Sequence, residues 1–321
     1  MKAEQPELTI VIPTYNSGLY IGKTLDHLVS QIYKNFSVLV IDDNSSDNTF
    51  EIVNSYKNKL KVTFIEKSKK IKKGAAASIN YAFKIIDTKY WALIDSDAFL
   101  HKNWTNVVVP LLHEKQIVGA PVYAYKPNEI IAYLTGLEIE SRYNNIKKNW
   151  VHHLSTCNIA GQQEIIKYIN LNENLKYAYD HQLSFQLKRN GILFFLTKKT
   201  FCHHLNKSGL FGYASQQYKV AKYHFFLSKQ MRTEAKEGDE ISPSYLILQP
   251  IFTFLGVLFL AFYPILAGSF LLLVVILNMK FLVYGASRNL LFLPVIILII
   301  FIKNIAWIIG SIEGLFSREL A

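Results

Sequence analysis

The stretch "KYWALIDSDAFLHKN", residues 89–103, decides the fold. Tyr90 through Ile94 form an apolar run that reads as a buried strand. It ends abruptly in Asp95-Ser96-Asp97. Asp and Ser are common turn formers, so a simple turn explains the sequence. Two carboxylates two residues apart can also meet on one hard divalent cation, which takes oxygen ligands and often a substrate phosphate. The surroundings of the strand bear on that choice.

Upstream, "LTIVI" (8–12) runs into Pro13 and "FSVLVI" (36–41) runs into Asp42-Asp43. Both read as strands, with a third at 60–65. Helical spacing fills the intervals: apolar residues recur from Leu19 to Ile32, and further helices are expected over 48–58 and 75–86. Strands alternating with helices imply an α/β domain with a mostly parallel, Rossmann-like sheet. In such sheets ligands bind outside the carboxyl ends of the strands. Pro13, Asp42-Asp43 and Asp95-Asp97 all fall at those ends.

Later elements are less periodic. Strands are expected near 116–123 and 192–197, and helices near 129–146, 162–168 and 179–190, the last stopping at Asn190-Gly191. Asp180, in "YAYDHQLSFQLKRNG", reads equally as an acid stabilising a helix N-terminus and as a general base. "VIDDNSSDNT" caps the helix that follows, yet Asp42 is less easily explained by capping. Lys67, Lys69, Lys70, Lys72 and Lys73 precede Gly74-Ala75-Ala76-Ala77. That is either a solvated basic loop or an anion site at a helix start. The P-loop order is missing. In "FCHH", His203 and His204 follow an expected strand and make a weak metal signal.

The 321 residues carry a net charge of +11, which points to an anionic partner such as a nucleotide or a phospholipid surface. No aromatic-basic stacking pattern of the nucleic-acid kind is present. Cys157 and Cys202 form neither a metal spacing nor a disulfide framework and fit a reducing compartment. The N-terminus shows no signal-peptide pattern, so the first domain is expected in the cytoplasm. Residues 198–236 hold eight basic residues against Glu234 alone. From 245 to 277 there is no charge at all, with Pro264 near the middle. A span needs about 20 apolar residues, so two spans are expected between 245 and 283 and a third over 290–312. This divides the chain into a domain of residues 1–205, a basic juxtamembrane segment of 206–243 and a transmembrane region of 244–321.

Taken in order, "VIPTYNSG", "VIDDNSSDNT", "KKGAAASIN", "WALIDSDA", "YDHQLSFQLKRNG" and "FCHH" resemble the membrane-anchored family 2 glycosyltransferases of GT-A fold, over roughly residues 7–205. The resemblance implies binding of a UDP- or GDP-linked sugar. It puts Pro13, Thr14, Tyr15, Asn16, Asp42, Asp43, Lys73, Gly74, Asn80, Asp95 and Ser96 around that donor. Asp95 and Asp97, with His203 as the best-aligned histidine, would hold Mn²⁺ or Mg²⁺. Asp180 would be the catalytic base of an inverting transfer, although Tyr179 and Gln182 depart from the acidic E-D-x-[DE]-L pattern. Processive relatives carry Q-x-x-R-W. Here Gln216 is followed by Lys219 and Val220, a possible acceptor or interface segment without the aromatic platform. That favours transfer of one sugar over a processive polysaccharide synthase, and the intact Asp42, Asp95, Asp97 and Asp180 argue against a degenerate binding protein. The implied acceptor is a lipid phosphate or lipid-linked glycan at the bilayer. The implied location is the plasma membrane, as an integral protein with a cytoplasmic catalytic domain.

Overall fold

The computed structural model describes residues 5–125, 129–235 and 238–317. Along the chain run β1 (Leu8–Thr14), α1 (Ile21–Val29), β2 (Phe36–Asp42), α2 (Thr49–Ser55), β3 (Val62–Glu66), α3 (Ala75–Ile85), β4 (Tyr90–Ile94), β5 (Ala98–Leu100), α4 (Trp104–Leu112), β6 (Ile117–Gly119) and β7 (Val122–Ala124). There follow α5 (Ile130–Asn145), β8 (Trp150–Val151), β9 (Asn158–Gln162), a 3₁₀ turn over Gln163–Tyr168, α6 (Tyr179–Arg189), β10 (Phe194–Leu196) and β11 (Cys202–His204). The remainder is helical: α7 (Leu210–Gln230), α8 (Arg232–Ala235), α9 (Leu248–Phe259), α10 (Pro264–Leu277), α11 (Met279–Arg288) and α12 (Leu293–Phe316).

The chain forms two compact units. The first comprises residues 1–123 and 148–204, and the second 124–147 and 205–321. Helix α5, which the sequence places inside the N-terminal domain, belongs to the second unit. The basic segment likewise stands as no separate element, because α7 and α12 pack together in that second unit.

In the first unit an eight-stranded sheet has the order β3-β2-β1-β4-β9-β6-β10-β8. Its first four strands are parallel. Every residue of β4 is buried, as expected of a continuous apolar strand covered on both faces. The next strand, β9, runs antiparallel to both β4 and β6. Its Gly161 lies opposite Trp91, where a Cβ would come 2.5 Å from the indole. The missing side chain lets the large ring lie across the sheet. On the covering side, α3 brings Ala76, Ala77 and Ser78 into burial, small residues that allow a helix close to a sheet. A three-stranded ribbon, β5-β11-β7, follows the Asp95-Asp97 turn.

The second unit is built around α5, α7 and α9 to α12. One helix, Leu290–Phe316 with its preceding 3₁₀ turn, is long and apolar enough to cross a membrane among the described residues. The other apolar stretch, where two spans were expected, is divided among shorter helices. It breaks into the short helix α9, then α10 with Pro264 in its first turn, then α11 bent 62° away from α10. Pro264 marks the break because proline is favoured at the first helical position.

Candidate active site

The parallel strands deliver their loops to one edge of the first unit. After β4 the chain turns at once, with Ala98 N–H donating to Asp95 C=O at 3.1 Å. Ser96 is held at the turn's centre: its hydroxyl lies 2.8 Å from Ser17 Oγ, and its carbonyl accepts from Thr24 Oγ1 at 2.7 Å. Ser96 therefore anchors the turn to α1, and the flanking carboxylates are left to face the ribbon. There β5 pairs antiparallel with β11, His204 opposite Ala98 and His203 opposite Phe99.

This pairing corrects the histidine assignment. Successive side chains of a strand point to opposite faces. His204 Nε2 stands 3.5 Å from Asp95 Oδ2 and 3.3 Å from Asp97 Oδ1. His203 points the other way, packing its ring edge-on against Phe201. Two carboxylates and one imidazole converging on a common point fit a divalent cation. Cys157 Sγ also lies within 4.8 Å of ligand atoms of Asp95 and His204. Its bonding to Cys202 and its burial push its pKa well up, so it stays a thiol and is a poor partner for a hard ion. Burial pushes the Asp95 carboxyl up, and the charges of Asp97 and Asp180 add to that. His204 is held well above the usual histidine range, since Asp97 and Asp95 outweigh the opposing effect of burial.

Asp180 sits in the first turn of α6, behind Ala178 in the left-handed region at φ 62°. Its Oδ1 accepts from His181 N–H at 2.9 Å and lies 3.2 Å from His181 Nδ1. Its Oδ2 is 3.9 Å from His153 Nε2. The two imidazoles stack with centroids 4.2 Å apart, and Ser184 Oγ, bonded to Asp180 C=O, holds His153 Nδ1 at 2.7 Å. Burial alone would raise the Asp180 pKa. The charges of His181 and His153 and the His181 N–H overcome it and lower the pKa well below the usual carboxylate range. Asp180 is thus an ionised, oriented and partly exposed carboxylate. His153 is the part of the site that sequence reasoning missed: it lies in the "VHHLSTCN" segment (151–158), apart from the motif that holds Asp180 and His181.

The loops after β1 and β2 are stitched to each other. Asn16, at φ 48°, accepts from Ser46 N–H at 2.8 Å and donates its own N–H to Ser45 Oγ at 2.8 Å. Thr14 C=O accepts from Asp43 N–H, and Pro13 and Thr14 remain in register with β2. Tyr15 stands 55 % exposed with Lys73 Nζ 6.0 Å from its ring centre. A cavity of about 440 Å³, lined by Asn44, Ser45, Glu66, Lys69, Ile71 and Lys73, opens among these loops.

Three residues expected at the donor make intramolecular contacts here. The Asp42 carboxylate accepts from Ser45 N–H and Ser45 Oγ at 2.8 and 2.6 Å, so it closes its own turn. Asp43 pairs with buried Lys67 at 3.0 Å and accepts from Gly74 N–H at 2.6 Å. Asn80 has its amide taken up by Leu171 and Glu173. Gly74 itself adopts φ 116°, a conformation that favours glycine. Gln216 and Lys219 lie on α7 in the second unit.

The family description "Glycosyl transferase family 2" matches residues 9–170, just over half of the chain. The chain belongs to glycosyl transferase family 2. Relatives agree in kind. An uncharacterized glycosyltransferase of Rickettsia typhi is 26 % identical over 59 % of this chain and 61 % of its own length. The chain thus spans less than two thirds of that relative. The UDP-Glc:alpha-D-GlcNAc-diphosphoundecaprenol beta-1,3-glucosyltransferase WfaP of Escherichia coli is 27 % identical over 58 % of this chain and 71 % of that protein. Among solved structures, the mannosyltransferase of Pyrobaculum calidifontis in complex with GDP-Man and Mn²⁺ superposes with a TM-score of 0.61 at 17 % identity. It covers 99 % of this chain and 89 % of the other. The S. aureus TarS fragment in complex with UDP-GlcNAc gives 0.53 at 17 % identity, covering 97 % and 91 %. These two likenesses establish the GT-A fold.

Proposed function

We propose that this family 2 protein transfers one sugar, with inversion, from a UDP- or GDP-linked donor to a membrane-associated acceptor. The acceptor would be a lipid phosphate or a lipid-linked glycan. The reading is carried by one juxtaposition: an acid pair with His204 at the end of β4 and β11, and an ionised Asp180 close enough to raise the pKa of Asp95. Asp95, Asp97 and His204 would hold Mn²⁺ or Mg²⁺, which when bound neutralises charge on the departing diphosphate. Tyr15 offers a ring face for the base, and Lys73 beside it a cation for phosphate. Asp180 accepts the proton of the acceptor hydroxyl as that oxygen bonds to the anomeric carbon and the carbon–diphosphate bond breaks. His181 and His153 keep Asp180 charged and aimed.

The lipid acceptor is suggested by the apolar second unit, together with the diphosphoundecaprenol acceptor in the name of the Escherichia coli relative. The same features support a place at the plasma membrane with the first unit on the cytoplasmic side. The test uses membranes holding the full chain, radiolabelled UDP- and GDP-sugars, and Mn²⁺ or Mg²⁺, followed by lipid extraction. Label should enter the lipid fraction with the wild type. Asp180→Asn should lose transfer by about 10²–10⁴-fold while still binding donor, and Asp97→Asn should lose metal-dependent donor binding. Full transfer by either variant would remove the assigned roles.

A further inference from the structure

We propose that the second unit enters one leaflet of a lipid bilayer without crossing it, with α12 lying along the interface and the α9–α10 hairpin as the inserted element. The proposal rests on the membrane-associated reading above and names how that association is made.

Helix α12 is long enough to span, at about 36 Å, but charged groups of neighbouring helices are tied to it. Ahead of it, at the end of α11, Arg288 pairs with Glu140 at 3.0 Å. At its middle, Lys303 pairs with Glu138 at 2.5 Å. Near its end, Glu313 pairs with Lys222 at 2.5 Å. Along its second half it lies directly on α7: a Cβ on Gly310 would meet Tyr218 C=O at 2.2 Å, and one on Gly314 would meet Lys222 C=O at 2.5 Å. Trp307 Nε1 donates to Gln217 at 3.0 Å on the same side. Helix α7 carries Lys219, Lys222 and Lys229. A spanning α12 would carry the mid-helix Lys303–Glu138 pair, and α5 with it, into the hydrocarbon, where charged side chains are strongly disfavoured.

The opposite face of α12 is different. Leu298, Ile305, Ile309, Ile312 and Phe316 are all exposed. Their spacing of seven, four, three and four residues puts them on one stripe. A helix whose buried side is tied by Lys303 to Glu138 and by Gly310 and Gly314 to α7, and whose other side is an exposed apolar stripe, suits the plane of an interface.

The hairpin supplies depth. Helices α9 and α10 lie against each other, Gly256 receiving Leu271 and Phe252 stacking with Phe270. Their 12 and 14 residues reach about 18 and 21 Å, short of the hydrocarbon core of about 30 Å. The tip is apolar and open, with Phe262 80 % and Ile265 88 % exposed. No charge occurs from 245 to 277, and Lys280 and Arg288 follow directly. An uncharged apolar insert followed by cations complements the acyl region and, on its downstream side, the anionic headgroups of a bilayer.

The experiment is cysteine accessibility in sealed membrane vesicles of both orientations, using the full chain and a membrane-impermeant maleimide. The native Cys157 and Cys202 are buried. Single cysteines are placed at Lys57→Cys in the first unit, at Ser287→Cys and Ser317→Cys on either side of α12, and at Phe262→Cys in the hairpin tip. We expect the first three to label from one and the same side, and Phe262→Cys to label only after detergent. Labelling of Ser287→Cys and Ser317→Cys from opposite sides would overturn the proposal, as would labelling of Phe262→Cys from the far side. So would recovery of the protein as a water-soluble dimer, because a second copy would then cover the apolar face. None of these readouts depends on sugar transfer, so failure of the transferase reading and failure of this topology are separable.

Discussion

Replacing Lys67 by methionine tests whether Asp43 is a structural acid or a reader of the nucleobase. The ammonium is fully buried, 3.0 Å from a carboxylate that is 10 % exposed. Lys67→Met leaves that carboxylate with only Gly74 N–H as partner, and breaking a buried pair from one side costs about 3–5 kcal/mol. Asp43→Asn strands the ammonium instead, beside Lys72 C=O at 2.8 Å. Either single change breaks the same buried pair from one side, so both carry a cost of the same order. The double variant buries neither charge, so it should fall well short of the sum of about 8 kcal/mol, a coupling of several kcal/mol between groups in contact. Urea denaturation of the detergent-solubilised full chain, followed by circular dichroism, reads all three. Each single variant should also loosen the Gly74 end of the loop carrying Lys73, weakening donor binding alike. Single costs under about 1 kcal/mol, strict additivity, or a donor defect confined to Asp43→Asn would refute the structural role.

At the acid pair, His204→Ala should abolish Mn²⁺ binding measured by calorimetry, whereas His203→Ala should leave it unchanged. Because Asp97 and Asp95 raise the His204 pKa, a proton on Nε2 competes with the cation, and Mn²⁺ affinity should climb with rising pH until His204 has lost its proton. The lowered pKa of Asp180 keeps that carboxylate charged well into acid, and its charge is lost only as pH falls through the lowered value. The acid limb of the transfer rate should therefore lie below the ordinary carboxylate range, and His181→Phe should move it upward. In the core, Gly161→Ala drives a methyl to 2.5 Å from Trp91 and 3.0 Å from Ile165. Overpacking of this kind costs about 1–3 kcal/mol, visible as a lower thermal midpoint of the full chain.

Much of the first unit was legible because its information is local. Strands β1, β2 and β4 are uninterrupted apolar runs, each ended by a proline or an acid, and the helices between them show clear periodicity. That sufficed to place Pro13, Asp42, Asp43, Asp95 and Asp97 at the carboxyl ends of strands in a parallel sheet. Strand β9 was missed because "NIAGQ" is short and carries Asn and Gly. It becomes a strand only by pairing on both sides, with Gly161 making room for Trp91.

What tertiary structure alone decided is which neighbour each polar group meets. His203 and His204 are equivalent in the sequence, and pleat parity set by pairing with β5 turns only His204 toward the acids. Asp42, Asp43 and Asn80 carry the right chemistry for a donor, yet Ser45, Lys67 and Leu171 use it first. The apolar tail follows the same division. Composition determined that it is hydrophobic. Where it bends after α10, and that Lys303 and Glu313 of α12 meet Glu138 of α5 and Lys222 of α7, was decided by packing between helices distant in the chain.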